Sequence, residues 1–248
     1  MSAALFERAA PVRREACVDS TNLYLRRMAA DAPDGTAVIA ARQSAGRGRS
    51  GRGFLSPEGG LYLSVLRRPA VAPERLATLT PVAAVAVCRA VGRVCALRCG
   101  IKWPNDVVLG GKKVCGILVE SVLGGERPCV IVGVGINADT PPFPEELRAI
   151  AGSLAEAAGG PVDLEALAAA LLEELDACYA AWLADPAFCL DEYRALCVTL
   201  GREVLAGGQR AVAEAIGGDY SLLVVRPDGS REALRFGEVS VRGLYGYV

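Results

Sequence analysis

Hydrophobic and polar positions along this chain follow two periods, separated by stretches that follow neither. Leu61, Leu63 and Val65 interleave with Tyr62, Ser64 and Leu66, the two-residue period of a strand. Between Pro73 and Val94, apolar residues return at Leu76, Leu79, Ala83, Val87, Val91 and Val94, which predicts a helix with Pro81 as a kink or early boundary. Asp163 is placed to cap a second long helix, whose Leu164, Leu167, Leu171, Leu175, Cys178, Tyr179 and Trp182 share one face. A shorter helix is expected over Asp191–Leu196. Thr36–Ala41, Leu97–Trp103, Asp106–Leu109, Val114–Glu120 and Cys129–Ile136 read as strands, and Gly110-Gly111-Lys112 as a hairpin turn. Asp19, Ser20 and Thr21 each suit the N-cap of a helix carrying Leu23, Tyr24, Arg27 and Met28. Residues 1–18 read as an irregular lead-in with an edge strand near Ala16–Val18.

Two regions break the pattern. Gln43 to Gly60 is rich in glycine and arginine, with Phe54 and Leu55 its main apolar residues, and must be a loop. From Cys197 onward, short strands are broken by Gly207-Gly208, Gly217-Gly218 and Pro227-Asp228-Gly229, the spacing of a small β-barrel or sandwich. Two domains are therefore expected, 1–196 and 197–248.

Composition narrows the chemistry. The chain has 248 residues, 52% hydrophobic and 22% charged, enough for a substantial core. Its net charge of −1 argues against a general grip on nucleic acid or an anionic membrane. With no histidine, every histidine-based triad is excluded. The nine cysteines form no CxxC pair, so buried, reduced thiols in a cytoplasmic protein are expected rather than a zinc site. The N-terminus lacks a signal-peptide core, and no uncharged apolar run is long enough to cross a bilayer.

Four motifs carry candidate chemistry. In Gln43-Ser-Ala-Gly-Arg-Gly-Arg-Ser-Gly-Arg52, glycines at 46, 48 and 51 let the backbone fold closely around a ligand, while Arg47, Arg49 and Arg52 supply forked donors for carboxylates and phosphates. Such a loop is expected to stay mobile until an anion gathers its cations, then to close. Ile101-Lys-Trp-Pro-Asn-Asp106 delivers Lys102 at the end of a buried strand as a fixed cation, able to neutralise charge between a carboxylate and a phosphate. Asn105 and Asp106 suit orientation of a nucleophile or of magnesium; plain turn chemistry explains Pro104 and Asn105 but not the apolar strand that delivers Lys102 beside them. Val130-Ile-Val-Gly-Val-Gly-Ile-Asn137 is a core strand whose glycines permit close approach, and Ser20-Thr21-Asn22 is a helix start whose small hydroxyls suit a planar urea-like group.

In this order, STN at 20–22, QSAGRGRSGR at 43–52, KWPND at 102–106, KKVCGILVE at 112–120 and GVGIN at 133–137 resemble the catalytic domain of biotin–protein ligases. The motif-bearing resemblance covers about residues 16–140; the segment from 141 to 196 follows the family loosely, and the C-terminal module in length and texture only. The resemblance implies an α+β (mixed α/β) catalytic domain like that of class II aminoacyl-tRNA synthetases, followed by an SH3-like β-barrel. It implies a ligase that uses ATP and Mg2+ to make biotinyl-5′-AMP, then transfers biotin to a lysine of a biotin carboxyl carrier protein. By the same resemblance, Ser20, Thr21 and Gln43, with the backbone at Arg47 and Gly116, would hold the ureido head of biotin, and Asn22, Gly48, Arg49 and Lys102 would also belong to the biotin site. Arg47, Arg49 and Arg52 would close over carboxylate and phosphates, Lys102 would bridge carboxylate and α-phosphate, and Asp106 and Lys113 would position magnesium, phosphate or the incoming lysine. Asn137 would contact the nucleotide, and Phe54 stands where relatives often carry a tryptophan stacked on adenine.

Lipoate or octanoate ligases and transferases share this architecture but lack the GRGRSGR loop paired with KWPND. A catalytically inactive biotin-binding scaffold fits poorly with an intact Lys102 and three loop arginines. A biotin-responsive repressor needs an N-terminal DNA-binding domain, and the first ligand motif already begins at Ser20, so no nucleic acid and no membrane partner are expected. The sequence leaves a homodimer open.

Overall fold

Seven segments adopt extended structure in one sheet: β1 (Val12–Val18), β2 (Ala37–Gln43), β3 (Leu61–Arg67), β4 (Gly100–Lys102), β5 (Asp106–Leu109), β6 (Lys112–Val122) and β7 (Cys129–Ile136). The computed structural model describes residues 10–123, 128–235 and 241–243. The sheet order is β1-β2-β3-β7-β6-β5-β4, antiparallel except for the parallel β1–β2 pair. The expected alternation of exposure in β3 is not observed. All seven residues of β3 are buried, Tyr62 and Ser64 included, because this strand lies inside the sheet with both faces covered. The edge strand at the N-terminus is longer than expected, seven residues; the first nine residues of the expected lead-in lie outside the described residues.

The helix expected over 73–94 divides into α2 (Pro73–Leu76) and α3 (Leu79–Cys95). The break precedes Pro81, which therefore stands in the first turn of α3, where its missing N–H removes no intrahelical bond. The stretch Pro73–Cys95, which includes Glu74, Arg75, Arg89 and Arg93 and so is no uncharged run, is by length and composition apolar enough to cross a membrane; here α3 is buried against the sheet. Helix α1 (Thr21–Arg27) begins after Ser20, but the Ser20 side chain makes no capping bond. Ser153 caps a short helix not foreseen, α4 (Leu154–Ala158), accepting from Glu156 N at 3.1 Å. Asp163 caps α5 (Leu164–Ala184) as expected, accepting from Ala166 N at 2.9 Å, and α6 spans Leu190–Leu196.

Strand parity then sorts the sheet into two faces. Leu63, Val65, Cys115, Ile117, Val132, Val134 and Ile136 point toward α3 and α5 and form the main core with Val82, Val87, Leu167 and Leu171. Each fully buried aliphatic there contributes about 1.5–3 kcal/mol. On the opposite face, Leu25, Ala29 and Ala32 form a smaller cluster with Val38, Leu66, Cys129 and Ile131. Seven of the nine free cysteines are buried, consistent with thiols packed as small hydrophobes.

The chain ends in a second antiparallel sheet of β8 (Glu203–Ala206), β9 (Gln209–Ile216), β10 (Leu222–Val225), β11 (Arg231–Leu234) and β12 (Val241–Gly243), ordered β11-β10-β9-β8-β12. Residues 236–240 and 244–248 of the expected C-terminal module lie outside the described residues. This sheet is tied to the strand that carries Lys102. Val198 N donates to Ile101 O at 3.0 Å, Trp103 N to Thr199 Oγ1 at 3.0 Å, and Trp103 Nε1 to Tyr220 O at 2.9 Å.

Candidate active site

Beside the smaller cluster, the second face of the seven-stranded sheet carries an open cleft. Its floor follows from register: Tyr62, Gly135 and Gly116 form one cross-strand row, and Ser64, Gly133 and Leu118 the next. Two of three positions in the first row lack a side chain, so the sheet backbone is open to the cleft. The space above is tight. A Cβ at Gly133 would lie 2.1 Å from Asn22 Oδ1, and one at Gly135 would lie 2.7 Å from the Phe54 ring.

One end of the cleft is polar. Thr21 N and Oγ1 lie 2.8 and 3.2 Å from Gln43 Oε1, and Gln43 Nε2 donates to Ser56 Oγ at 2.8 Å. Ser64 Oγ lies 2.7 Å from both Thr21 Oγ1 and Asn22 Oδ1. Asn22 Nδ2 donates to Leu118 O at 3.2 Å and to Glu120 Oε2 at 2.8 Å. Ser20, Thr21, Asn22 and Ser64 are all buried, so these hydroxyls and amides satisfy one another in a low-dielectric wall.

The other end is cationic, and here two distant motifs meet. The glycine–arginine loop folds as a hairpin: Gly48 N donates to Arg52 O at 2.7 Å and Phe54 N to Gly46 O at 2.9 Å. Gly46 is required, because a Cβ there would come within 2.3 Å of Phe54 O, and Gly51 turns at φ +73°. Gly48 is not sterically required, since the nearest atom to its Cβ position is 3.4 Å away; of the three glycines only Gly46 makes the expected close approach, and Gly51 has open space around it. Arg49 Nη1 donates to Asn105 Oδ1 at 3.0 Å, joining the loop to the Trp-Pro-Asn-Asp turn. Burial makes the Arg49 guanidinium less basic than usual, an effect opposed by nearby Asp106. Lys113 Nζ sits 2.6 Å from Asp106 Oδ1 and 5.6 Å from the centre of the Phe54 ring.

The structure thus brings Ser20, Thr21, Asn22, Gln43, Arg47, Gly48, Arg49, Phe54, Lys113 and Gly116 to one cleft. Lys102, Asp106, Arg52 and Asn137 do not line it. Lys102 ends β4 opposite Asp106 and is 7% exposed. Asn137 is 3% exposed; its Nδ2 donates to Gly152 O at 3.1 Å, while its Oδ1 is buried with no hydrogen-bond partner among the described residues. Arg52 is exposed on the loop. Sequence reasoning missed Ser64 and Glu120. Their signal is strand parity, which puts Ser64 in the row with Gly133, and Glu120 two positions beyond Leu118, on the cleft side of the sheet.

The family model for biotin/lipoate A/B protein ligases matches residues 15–137. The chain is 38% identical over 207 residues to the biotin--[acetyl-CoA-carboxylase] ligase of Mycobacterium tuberculosis, covering 79% of this chain and 75% of that one. It is 44% identical over 137 residues to the bifunctional ligase/repressor BirA of Bacillus subtilis, covering 54% of this chain and only 42% of that protein's length. The fold matches the Aquifex aeolicus biotin protein ligase in complex with biotin and ATP at TM-score 0.85 and 29% identity, over 96% of this chain and 100% of that one. The Leishmania major biotin protein ligase in complex with biotinyl-5-AMP matches at TM-score 0.61 and 26% identity, over 90% of this chain and 98% of that one. On motif order, cleft geometry and these matches together, this chain belongs to the biotin/lipoate A/B protein ligase family, among the biotin–protein ligases.

Proposed function

We propose that this protein is an ATP-dependent ligase that activates biotin as biotinyl-5′-AMP and transfers it to a lysine of a biotin carboxyl carrier protein. The observation that carries this reading is the two-ended cleft, with a neutral hydrogen-bonding wall at Thr21 and Gln43 and cations at Arg47, Arg49 and Lys113. A urea-like head needs the first and a carboxylate or phosphate the second. In the first step a biotin carboxylate oxygen attacks the α-phosphorus of ATP, and the bond to the β-phosphate oxygen breaks as pyrophosphate leaves. Two anions must approach each other, so fixed cations lower the barrier. Arg47 and Arg49 hold the carboxylate and phosphates, and Lys102 bears on the charge that builds between them. In the second step a carrier ε-amine attacks the acyl carbon, AMP departs and the amine loses its proton to solvent. Closure of the arginine loop over the mixed anhydride excludes water between the steps.

Magnesium would arrive on the ATP phosphates. Among the described residues no three acidic or thiol side chains are arranged to hold a metal, and no step is assigned to a protein-held ion. The C-terminal sheet, read as an SH3-like module, buttresses the Lys102 strand through Thr199 and Tyr220. The protein would work in the cytoplasm. Calorimetric titration with biotin and with lipoate, then pyrophosphate release with MgATP, tests the proposal. Biotin binding with biotin-dependent pyrophosphate is expected; lipoate binding instead, or biotin binding without pyrophosphate, overturns it.

A further inference from the structure

Glu120 is where the two ends of the cleft touch. Its side chain is 17% exposed and receives donors from two separate parts of the chain. Asn22 Nδ2, on α1, donates to Oε2 at 2.8 Å. Arg47 Nη1, on the glycine–arginine loop, stands 3.5 Å from Oε1, and Arg26 Nη2 stands 3.9 Å from the same oxygen. A largely buried carboxylate is costly without partners, so it draws Arg47 to the cleft wall. The contact is longer than the 2.7–2.9 Å of a tight charge-assisted bond, and a guanidinium has five N–H donors, so Arg47 keeps donors for an anion.

From Asn22 the chain of contacts continues. Asn22 Oδ1 meets Ser64 Oγ at 2.7 Å, Ser64 Oγ meets Thr21 Oγ1 at 2.7 Å, and Thr21 Oγ1 meets Gln43 Oε1 at 3.2 Å. Ser64 has one hydroxyl proton for two acceptors, Thr21 and Asn22. A ligand that engages Thr21 can therefore reset the direction of the Ser64 bond, and with it the hold of Asn22 on Glu120. We propose that Glu120 is a positioning residue that couples occupation of the polar end of the cleft to the placement of Arg47 at the cationic end. This rests on the biotin-ligase reading of the cleft.

The test is a double-mutant cycle in the full chain, using E120Q, E120D, R47Q and E120Q/R47Q. Biotin Kd is read by calorimetry, and kcat and biotin KM by pyrophosphate release. E120Q is expected to raise Kd and KM together by about tenfold with little change in kcat, and E120D, which keeps the charge but retracts it by a methylene, by about threefold. E120Q/R47Q is expected to be no worse than R47Q alone. Effects of E120Q and R47Q that multiply, or an E120Q KM equal to wild type, overturn the proposal. If thermal melting finds E120Q unfolded, the cycle is run with E120D, where multiplying effects overturn it equally. Wild-type protein without biotin-dependent pyrophosphate release would instead defeat the ligase reading itself.

Discussion

The same strands make two faces of the seven-stranded sheet, and the faces obey opposite rules. On β7, Val132, Val134 and Ile136 point to the α3/α5 core, while Gly133 and Gly135 alternate with them and let Asn22 and the Phe54 ring approach the other face closely. The core face is close-packed aliphatic side chain, tolerant of no added or missing volume. The cleft face is glycine backbone closely approached by Asn22, Phe54 and Lys113, side chains that also line the cleft. A two-residue period places stability and binding on one strand without mixing them. Substitutions one position apart should therefore have different readouts.

The largest expected effect lies on the core face. Leu171→Ala, at a fully buried position of α5, should lower stability by about 2–5 kcal/mol in chemical denaturation, with biotin affinity of the folded fraction unchanged. A matching loss of affinity would erase the separation of the faces. Next comes Lys102→Ala, expected to slow biotin-dependent pyrophosphate release by roughly 10²–10³-fold, the scale of one lost charge stabiliser, while calorimetry still finds biotin bound. Unchanged turnover would remove Lys102 from the chemistry. Gly133→Ala should cost about 1–3 kcal/mol from crowding against Asn22 and also weaken biotin binding, since Asn22 must move. If melting shifts but affinity does not, the cleft floor is only packing.

The smallest effect is at the start of α1, outside the cleft lining. The Arg27 guanidinium beside Asp19 holds its carboxyl at about 2, below the 3.8 of an ordinary aspartate. A depressed carboxylate stabilises the fold above the unfolded value and loses that contribution as pH falls from about 4 toward 2. The pair is solvent-screened, so Asp19→Asn should cost about 0.5 kcal/mol at most at neutral pH, and nothing at the bottom of that window. A larger loss would mean that the Ser20 N–H bond to Asp19 holds the start of α1.

Most of the elements were legible because they follow from local periodicity. The α5 stripe and its Asp163 cap, the Gly110-Gly111 hairpin and the buried strand β7 are each encoded within one short contiguous segment. Motif order alone carried the family, and with it the candidate residues at both ends of the cleft. Ser64 escaped notice because nothing near it in sequence marks a site. Only the register of β3 against β7, set by residues some 70 positions apart, puts its hydroxyl between Thr21 and Asn22. The break before Pro81 and the short helix α4 were likewise settled by packing and capping that periodicity does not report.

The sequence by itself determined which residues can bear charge, turn tightly or fill a core, since those are properties of each side chain and its near neighbours. Tertiary structure alone decided which of them face one another. It put Arg49 on Asn105, Lys113 on Asp106, and Glu120 between Asn22 and Arg47. It also left Lys102 and Asn137 buried beside the cleft rather than lining it. The reason is range: propensity and period act over a few residues, whereas electrostatic and steric pairing across the sheet depends on strand order and register.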